Sequence, residues 1–241
     1  MNLNRVWRAL NRRTKGTRFA VPLLKYLPDK TWWLRLRKTL HYSLYTAVHP
    51  LDGFWDLTHE KRGSVAAANV IVALAVLVEI LRLTLTSFQF VMVNMEYFNA
   101  VIVTLRILLP IFLWVVANWS LTTLMDGKGR MTDIYMAIAY ALAPSVIINA
   151  VMIILSRLIT FDEGAVYWVL AGFSALWTAI LILAGMMMIH DYSMTKTVLS
   201  SLLTIVGMGV IVFIFVVFFS LISDAAAYFV SLYKEILFRV L

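Results

Sequence analysis

Three ionisable side chains, Glu79, Arg82 and Arg106, stand inside long apolar runs of the sequence. A charge in that setting is costly and usually finds a partner. Glu79 and Arg82 lie late in one run and Arg106 early in the next, so a hairpin between the runs brings all three to similar depth at about 1.5 Å per residue. An ion pair between Glu79 and Arg106 across that hairpin is the expected arrangement. Glu79 with Arg82 at i,i+3 is the second pairing, and Arg82 can also extend its head toward the lipid headgroups. A proton relay would want a longer series of carboxylates and histidines than one Glu. Charge neutralisation inside the bundle is therefore the reading these residues favour.

The same runs hold Pro110 and Pro144, each of which removes a backbone donor and is expected to kink its helix. Asn118 and Asn149 lie on the same two helices and are expected to bond across helix interfaces. Met186, Met187 and Met188 read as packing residues, and His190 beside them has no metal-ligand pattern. Ala171, Ala175 and Ala179 form a small-residue ridge beside Gly172, suited to packing within the bundle or to a homodimer face. His49, Asp52, Asp56, His59 and Glu60 are the one cluster of acid–base groups. It lacks a His-Glu-x-x-His pattern and a third ligand at fixed spacing, so a hydrated connector is expected there. No P-loop, nucleophile elbow or dinucleotide fingerprint occurs, and neither a cofactor nor a metal site is expected.

The elements that position these residues follow from composition. Of the 241 residues, 62% are hydrophobic and 14% charged, with a mean hydropathy of +0.85. Soluble domains are far more polar. The apolar residues form helix-length runs rather than the alternating segments of about ten residues found in outer-membrane barrels. Five runs, at about 64–86, 98–121, 134–155, 164–188 and 197–223, each suffice for one span. The expected fold is an all-α polytopic membrane helix bundle of five transmembrane helices. There is no cysteine, which excludes disulfides and thiolate chemistry.

Residues 1–63 carry 13 of the 21 Lys and Arg and four of the 13 carboxylates, so the whole positive excess sits in the first quarter. This divides the chain into a basic segment (1–63), a five-helix domain (64–223) and a tail (224–241) whose Phe229, Leu232, Ile236 and Leu237 share one helical face. The first 30 residues have no apolar core of the kind a cleavable signal needs. From 31 to 48, Trp33, Leu36, Leu40, Leu44 and Ala47 recur at helical spacing, which predicts an amphipathic interfacial helix. Trp32, Trp33, Arg35, Arg37 and Lys38 are its membrane-surface residues. Anionic inner-leaflet lipids suit this basic segment at about 1 kcal/mol per basic residue, and nucleic acid is not an expected partner. The positive-inside rule places the N-terminus in the cytosol, and five spans then leave the C-terminus outside.

The connector and third run read Asp126-Gly-Lys-Gly-Arg-Met-Thr-Asp133, then Ile134-Tyr-Met-Ala-Ile-Ala-Tyr-Ala-Leu-Ala-Pro144. This resembles the Yip1 domain family, whose bacterial members carry a Gly-rich turn, a short polar stretch and a Tyr-Ala run ending in Pro. His49-Pro-x-x-Gly-Phe54 resembles their pre-membrane segment. The resemblance covers roughly residues 48–223. It implies about five spans, a cytosolic N-terminus and no catalytic activity. Eukaryotic relatives bind prenylated Rab GTPases in ER–Golgi traffic. The basic N-terminus here, in place of a Pro- and Gln-rich one, points instead to a bacterial-type member in the plasma membrane.

The leading functional reading is a non-enzymatic membrane adaptor or accessory subunit that binds another membrane protein or complex, such as a transporter. Its partner-facing turn would present Asp126, Lys128 and Arg130. The alternative is a small-solute or ion transporter using Glu79, Arg106, Asn118, Asn149 and the proline-kinked helices. A membrane enzyme would have only the His49–Glu60 connector to draw on.

Overall fold

The structure, a computed structural model, describes residues 30–92 and 95–240. Residues 1–29, and the Trp32, Ile236, Leu237 and Arg239 side chains, lie outside the described residues. The chain divides into two compact units, Met1–Lys38 and Thr39–Leu241. In the first unit, the described residues form the opening turns of helix α1 (Lys30–Val48), with Trp33, Arg35, Arg37 and Lys38 exposed.

The second unit continues α1 and adds α2 (Pro50–His59), α3 (Val65–Leu85), a short 3₁₀ turn (Met95–Tyr97), α4 (Ala100–Leu124), α5 (Met131–Ala141), α6 (Ala143–Leu158), α7 (Ala165–His190) and α8 (Met194–Val240). Five stretches are long and apolar enough to cross a membrane: α3, α4, the α5–α6 pair taken together, α7 and α8. The expected five-span, all-helical fold is therefore observed. Successive spans alternate in direction. One end of the bundle carries the Asp126–Arg130 turn, the C-terminus of α7 and the start of α8, and is called here the turn end.

Helix α5 sits at the centre. It packs on α3, α4 and α7 and also touches α2. Its alternation of small and large residues explains how. Ala137, Ala139 and Ala141 are fully buried, as are Ile134 and Tyr140. The alanines let neighbouring backbones approach closely, which is how membrane helices gain packing energy. The two tyrosines then supply directional ties. Tyr140 donates to the Thr39 carbonyl and accepts from the Ser64 amide, both at 3.3 Å. Tyr135 donates to Asn69 Oδ1 at 2.6 Å.

The two prolines behave differently. Pro144 stands in the first turn of α6, just after the helix breaks at Leu142. Its missing N–H cannot bond the Tyr140 carbonyl, so one span becomes two helices. Pro110 lies inside α4, which runs unbroken from Ala100 to Leu124. Membrane helices tolerate an interior proline where neighbouring groups satisfy the freed carbonyl.

The segment before the first span is more deeply engaged than an interfacial helix requires. Pro50 opens α2, where its fixed φ and absent donor cost nothing. A Cβ on Gly53 would stand 2.6 Å from the Thr46 Cα, so only glycine allows this α1–α2 elbow. The Tyr42 hydroxyl donates to the Gly53 carbonyl at 2.8 Å. Burial, with Asp56 nearby, pushes its pKa up to about 12, so the phenol remains a donor at neutral pH.

Phe54 and Leu57 are fully buried. Phe54 occupies the space left by Gly185 of α7, where an added Cβ would meet its ring at 3.3 Å and Ala137 at 3.2 Å. Trp177 Nε1, 13 residues before His190, donates to the Ala47 carbonyl at 3.2 Å. The elbow thus reaches about 20 Å along α7 from the turn end. In this unit the packed face of α1 is Ser43, Thr46 and Ala47, while Leu44 is exposed. Leu44 belongs to the apolar stripe expected to face the membrane, while close approach at Gly53 selects small residues on the face toward α2. With α2 bound to α7, the compact unit that holds the spans also takes in the residues from Thr39 onward.

Helix α8 runs 47 residues without a break, carrying the expected tail as its direct continuation. Gly207 fits against Ala117 and Leu121 of α4, whereas Gly209 meets nothing within 4 Å. No proline interrupts the helix, so it continues past its last bundle contacts.

Truncating the Phe54 plug tests this account. Phe54→Ala should cost about 3–5 kcal/mol and lower the midpoint of thermal unfolding in detergent. Leu51→Ala, on the exposed side of the same helix, should leave that midpoint nearly unchanged.

Candidate functional site

At the turn end, three helices and the turn converge on a buried polar network. Asn118 of α4, His190 of α7 and Thr204 of α8 are each at most 1% exposed. The backbone N–H of Gly129 donates to His190 Nδ1 at 3.2 Å. That makes Nδ1 an acceptor and leaves the proton on Nε2, which donates to Asn118 Oδ1 at 2.9 Å. Asn118 Nδ2 then donates to Thr204 Oγ1 at 3.0 Å, and Thr204 donates to the Ser200 carbonyl at 2.8 Å. Every donor in the series meets an acceptor. In a low-dielectric setting this satisfaction is what makes burial of the four groups tolerable.

The Asp126–Arg130 turn is built onto this network. Helix α4 ends with Gly127 N–H bonding back to the Thr122 carbonyl at 2.7 Å. Asp126 takes a left-handed φ of 59°, which Asp tolerates better than most residues. Side chains at the two glycines are excluded. A Cβ on Gly127 would lie 2.7 Å from His190 Nδ1, and one on Gly129 would lie 2.5 Å from Ile189 Cγ2.

The terminal carbonyl of α4, at Met125, accepts from Tyr192 Oη at 2.9 Å and from Lys196 Nζ at 2.8 Å. A cation at a helix C-terminus is favourable, and Lys196 also stands 4.1 Å from the Tyr192 ring centroid.

Asp126, Lys128 and Arg130 are exposed. Lys128 pairs with Asp191 at 2.9 Å and Arg130 with Asp133 at 3.0 Å. The Lys128 ammonium holds the Asp191 carboxyl below its ordinary value. Whatever this pair contributes is present above the ordinary carboxylate range and fades as pH falls through the lowered value. Exposed pairs of this kind are individually weak.

The other residues singled out in the sequence are placed as follows. Glu79 pairs with Arg82, not with Arg106. Arg82 Nε and Nη2 meet the two carboxylate oxygens at 2.8 and 2.7 Å. The i,i+3 spacing on one helix wins because it needs no contact across the hairpin. Arg106 is exposed on α4. Asn149 lines a cleft with Glu79 and Arg82, and no hydrogen bond forms at its amide among the described residues.

In the connector, His49 stacks on Tyr45 and His59 on Trp55, while Arg62 bridges Asp56 at 3.0 Å and Glu60 at 2.5 Å. Among the described residues no group of three His, Asp or Glu is placed to hold a metal ion.

Sequence reasoning set Asn118 on a helix interface but missed its partners. His190 and Thr204 lie 72 and 86 residues away, and no spacing rule links them. The available signal was Gly127 and Gly129 flanking Lys128, since a turn with two glycines often marks a close approach to something bulky.

The family model of the Yip1 domain matches residues 44–232. The chain belongs to the Yip1 domain family. No curated protein and no solved structure matches it. The Yip1 match takes in α2, the five spans and the turn with its network. It begins within the second half of α1, close to where the compact membrane unit of this Yip1 domain protein begins.

His190→Ala should leave the Asn118 carbonyl oxygen and the Gly129 amide unpaired, at about 1–3 kcal/mol for each buried group. A lower unfolding midpoint in detergent, together with faster proteolysis at the Asp126–Arg130 turn, is the expected result.

Proposed function

We propose that this Yip1 domain protein is a non-enzymatic adaptor or accessory subunit of the membrane, binding another membrane protein or complex through its Asp126–Arg130 turn. The observation that carries this reading is the contrast within the turn. Its backbone is anchored by Gly129 to a buried network, yet its three charged side chains are exposed. A preorganised loop loses little entropy on binding. Its weak surface pairs, Lys128 with Asp191 and Arg130 with Asp133, are readily exchanged for charges of opposite sign on a partner.

Two further features support it. Both ring nitrogens of His190 are committed to hydrogen bonds, which favours a positioning role over acid–base catalysis. The polar groups that a transporter would need do not converge either: Glu79 and Asn149 share one cleft, Asn118 belongs to the turn network and Arg106 is exposed.

The charge distribution favours a bacterial-type member in the plasma membrane, with the basic N-terminus and the turn in the cytosol and the C-terminus outside. Trp33, Arg35, Arg37 and Lys38 would then lie on the anionic inner leaflet.

Two experiments test this. Because the chain has no cysteine, single cysteines report sidedness cleanly. Lys128→Cys should react with an impermeant maleimide only after the cytosolic side is opened, and Glu163→Cys in intact cells; the reverse pattern would invert the topology. In the second, the protein is drawn from native membranes in mild detergent. A stoichiometric membrane partner should accompany it and be lost when Asp126, Lys128 and Arg130 are together replaced by alanine. Isolation of the wild-type protein alone would refute the adaptor reading.

A further inference from the structure

At the end of the bundle away from the turn, α3, α6 and α7 leave a cleft of about 390 Å³ between them, within the range of small-ligand sites. Its walls lie on membrane-spanning helices, and Ala175 on its rim and the neighbouring Gly172 are exposed. The opening therefore faces the bilayer, so an occupant arrives from the lipid phase. We propose that this cleft binds the headgroup of a zwitterionic phospholipid bearing a primary ammonium, of the phosphatidylethanolamine class, in the leaflet opposite the turn.

The chemistry of the lining argues for this ligand. Helices α3 and α6 are level at this end, since Arg157 Nε of α6 donates to the Leu85 carbonyl that closes α3, at 2.7 Å. Arg82 lies three residues from Leu85, about 5 Å below that end, where a headgroup sits. The guanidinium has five N–H donors. Two of them engage Glu79 and Tyr167 stands beside the group, which leaves further donors to receive a phosphate. Each Glu79 oxygen keeps a lone pair able to accept from an ammonium.

A paired Glu and Arg carry no net charge, so neither a simple anion nor a simple cation is favoured. A headgroup carrying both signs can align antiparallel to the pair and satisfy each end. Asn149 lies nine residues from the end of α6, about 14 Å deep. Its amide, which forms no hydrogen bond among the described residues, lines the same cleft as Arg82 and can donate to an oxygen of the bound lipid. Ala171, Ala175 and Met152, which also line the cleft, offer a smooth apolar shelf for the start of an acyl chain. Tyr167, 1% exposed, lies close by, with its hydroxyl beside the Arg82 guanidinium.

The test uses the full chain reconstituted in nanodiscs of equal parts phosphatidylethanolamine, phosphatidylcholine and phosphatidylglycerol, then released into mild detergent for native mass spectrometry. The expected result is retention of phosphatidylethanolamine over each of the other two by about tenfold, equivalent to 1.4 kcal/mol. Ala175→Phe, which fills the cleft without touching the ion pair, should abolish the preference. Ala179→Phe, one turn further along the same helix, should keep it. If Ala175→Phe does not give a monodisperse protein, Asn149→Leu replaces it and should reduce retention several-fold.

Retained lipid that mirrors the bulk composition would overturn the proposal. So would a preference that survives the cleft-filling variant. A disulfide-linked dimer of Ala175→Cys in native membranes would assign the cleft to a second copy and also overturn it. None of these readouts depends on the turn or on its protein partner.

Discussion

Lipid is as apolar as leucine, so helices in a bilayer gain little by meeting merely apolar neighbours. What they gain comes from close packing, and here that rests on the alanines of α5. With Ala137, Ala139 and Ala141 fully buried, α5 can stand against α3, α4 and α7 at once. The Tyr140 ties to Thr39 and Ser64 exist only because that approach is close. The seat of Phe54 between Ala137 and Gly185 depends on it as well. The break at Pro144 lets the two halves of the span pack differently: α5 stays among α3, α4 and α7, and α6 leans on α3 and α7.

The second organising constraint is satisfaction of polar groups. The bundle buries an amide, an imidazole and a hydroxyl where three helices meet, and each is hydrogen-bonded to the next. An apolar core would have been simpler to build. The network instead extends to the backbone of the Asp126–Arg130 turn, so the order of the interior is passed to a surface loop. At the other end the same requirement is met locally. Glu79 and Arg82 satisfy one another within α3, and the surplus hydrogen-bonding capacity opens into a cleft shared with α6 and α7.

The span count, the helical class and the positions of the five apolar stretches were all legible in the sequence, because each depends on local composition measured against the thickness of a bilayer. The Yip1 resemblance was legible in the Gly-rich turn, the Tyr-Ala run and His49-Pro-x-x-Gly-Phe54. The structure then gives those residues physical reasons: turn glycines that cannot carry a Cβ beside His190, alanines that set helix spacing, and a glycine-phenylalanine pair that closes the elbow and fills the gap at Gly185.

Which side chains meet was not legible. Glu79 could have paired along its own helix or across the hairpin, and both choices satisfy the same charge rule; the three-residue spacing within α3 prevailed. Asn118 was marked as an interface residue by its polarity, but His190 and Thr204 reach it from helices far along the chain. The face of α1 that packs on α2 carried no apolar signal, because close approach at the elbow buries Ser43 and Thr46. By itself the sequence determined what had to be helical and what had to lie in lipid, since hydropathy and helix period act residue by residue. Only the tertiary structure decided the partners of the polar groups, because those depend on the rotation and separation of helices that no local pattern specifies.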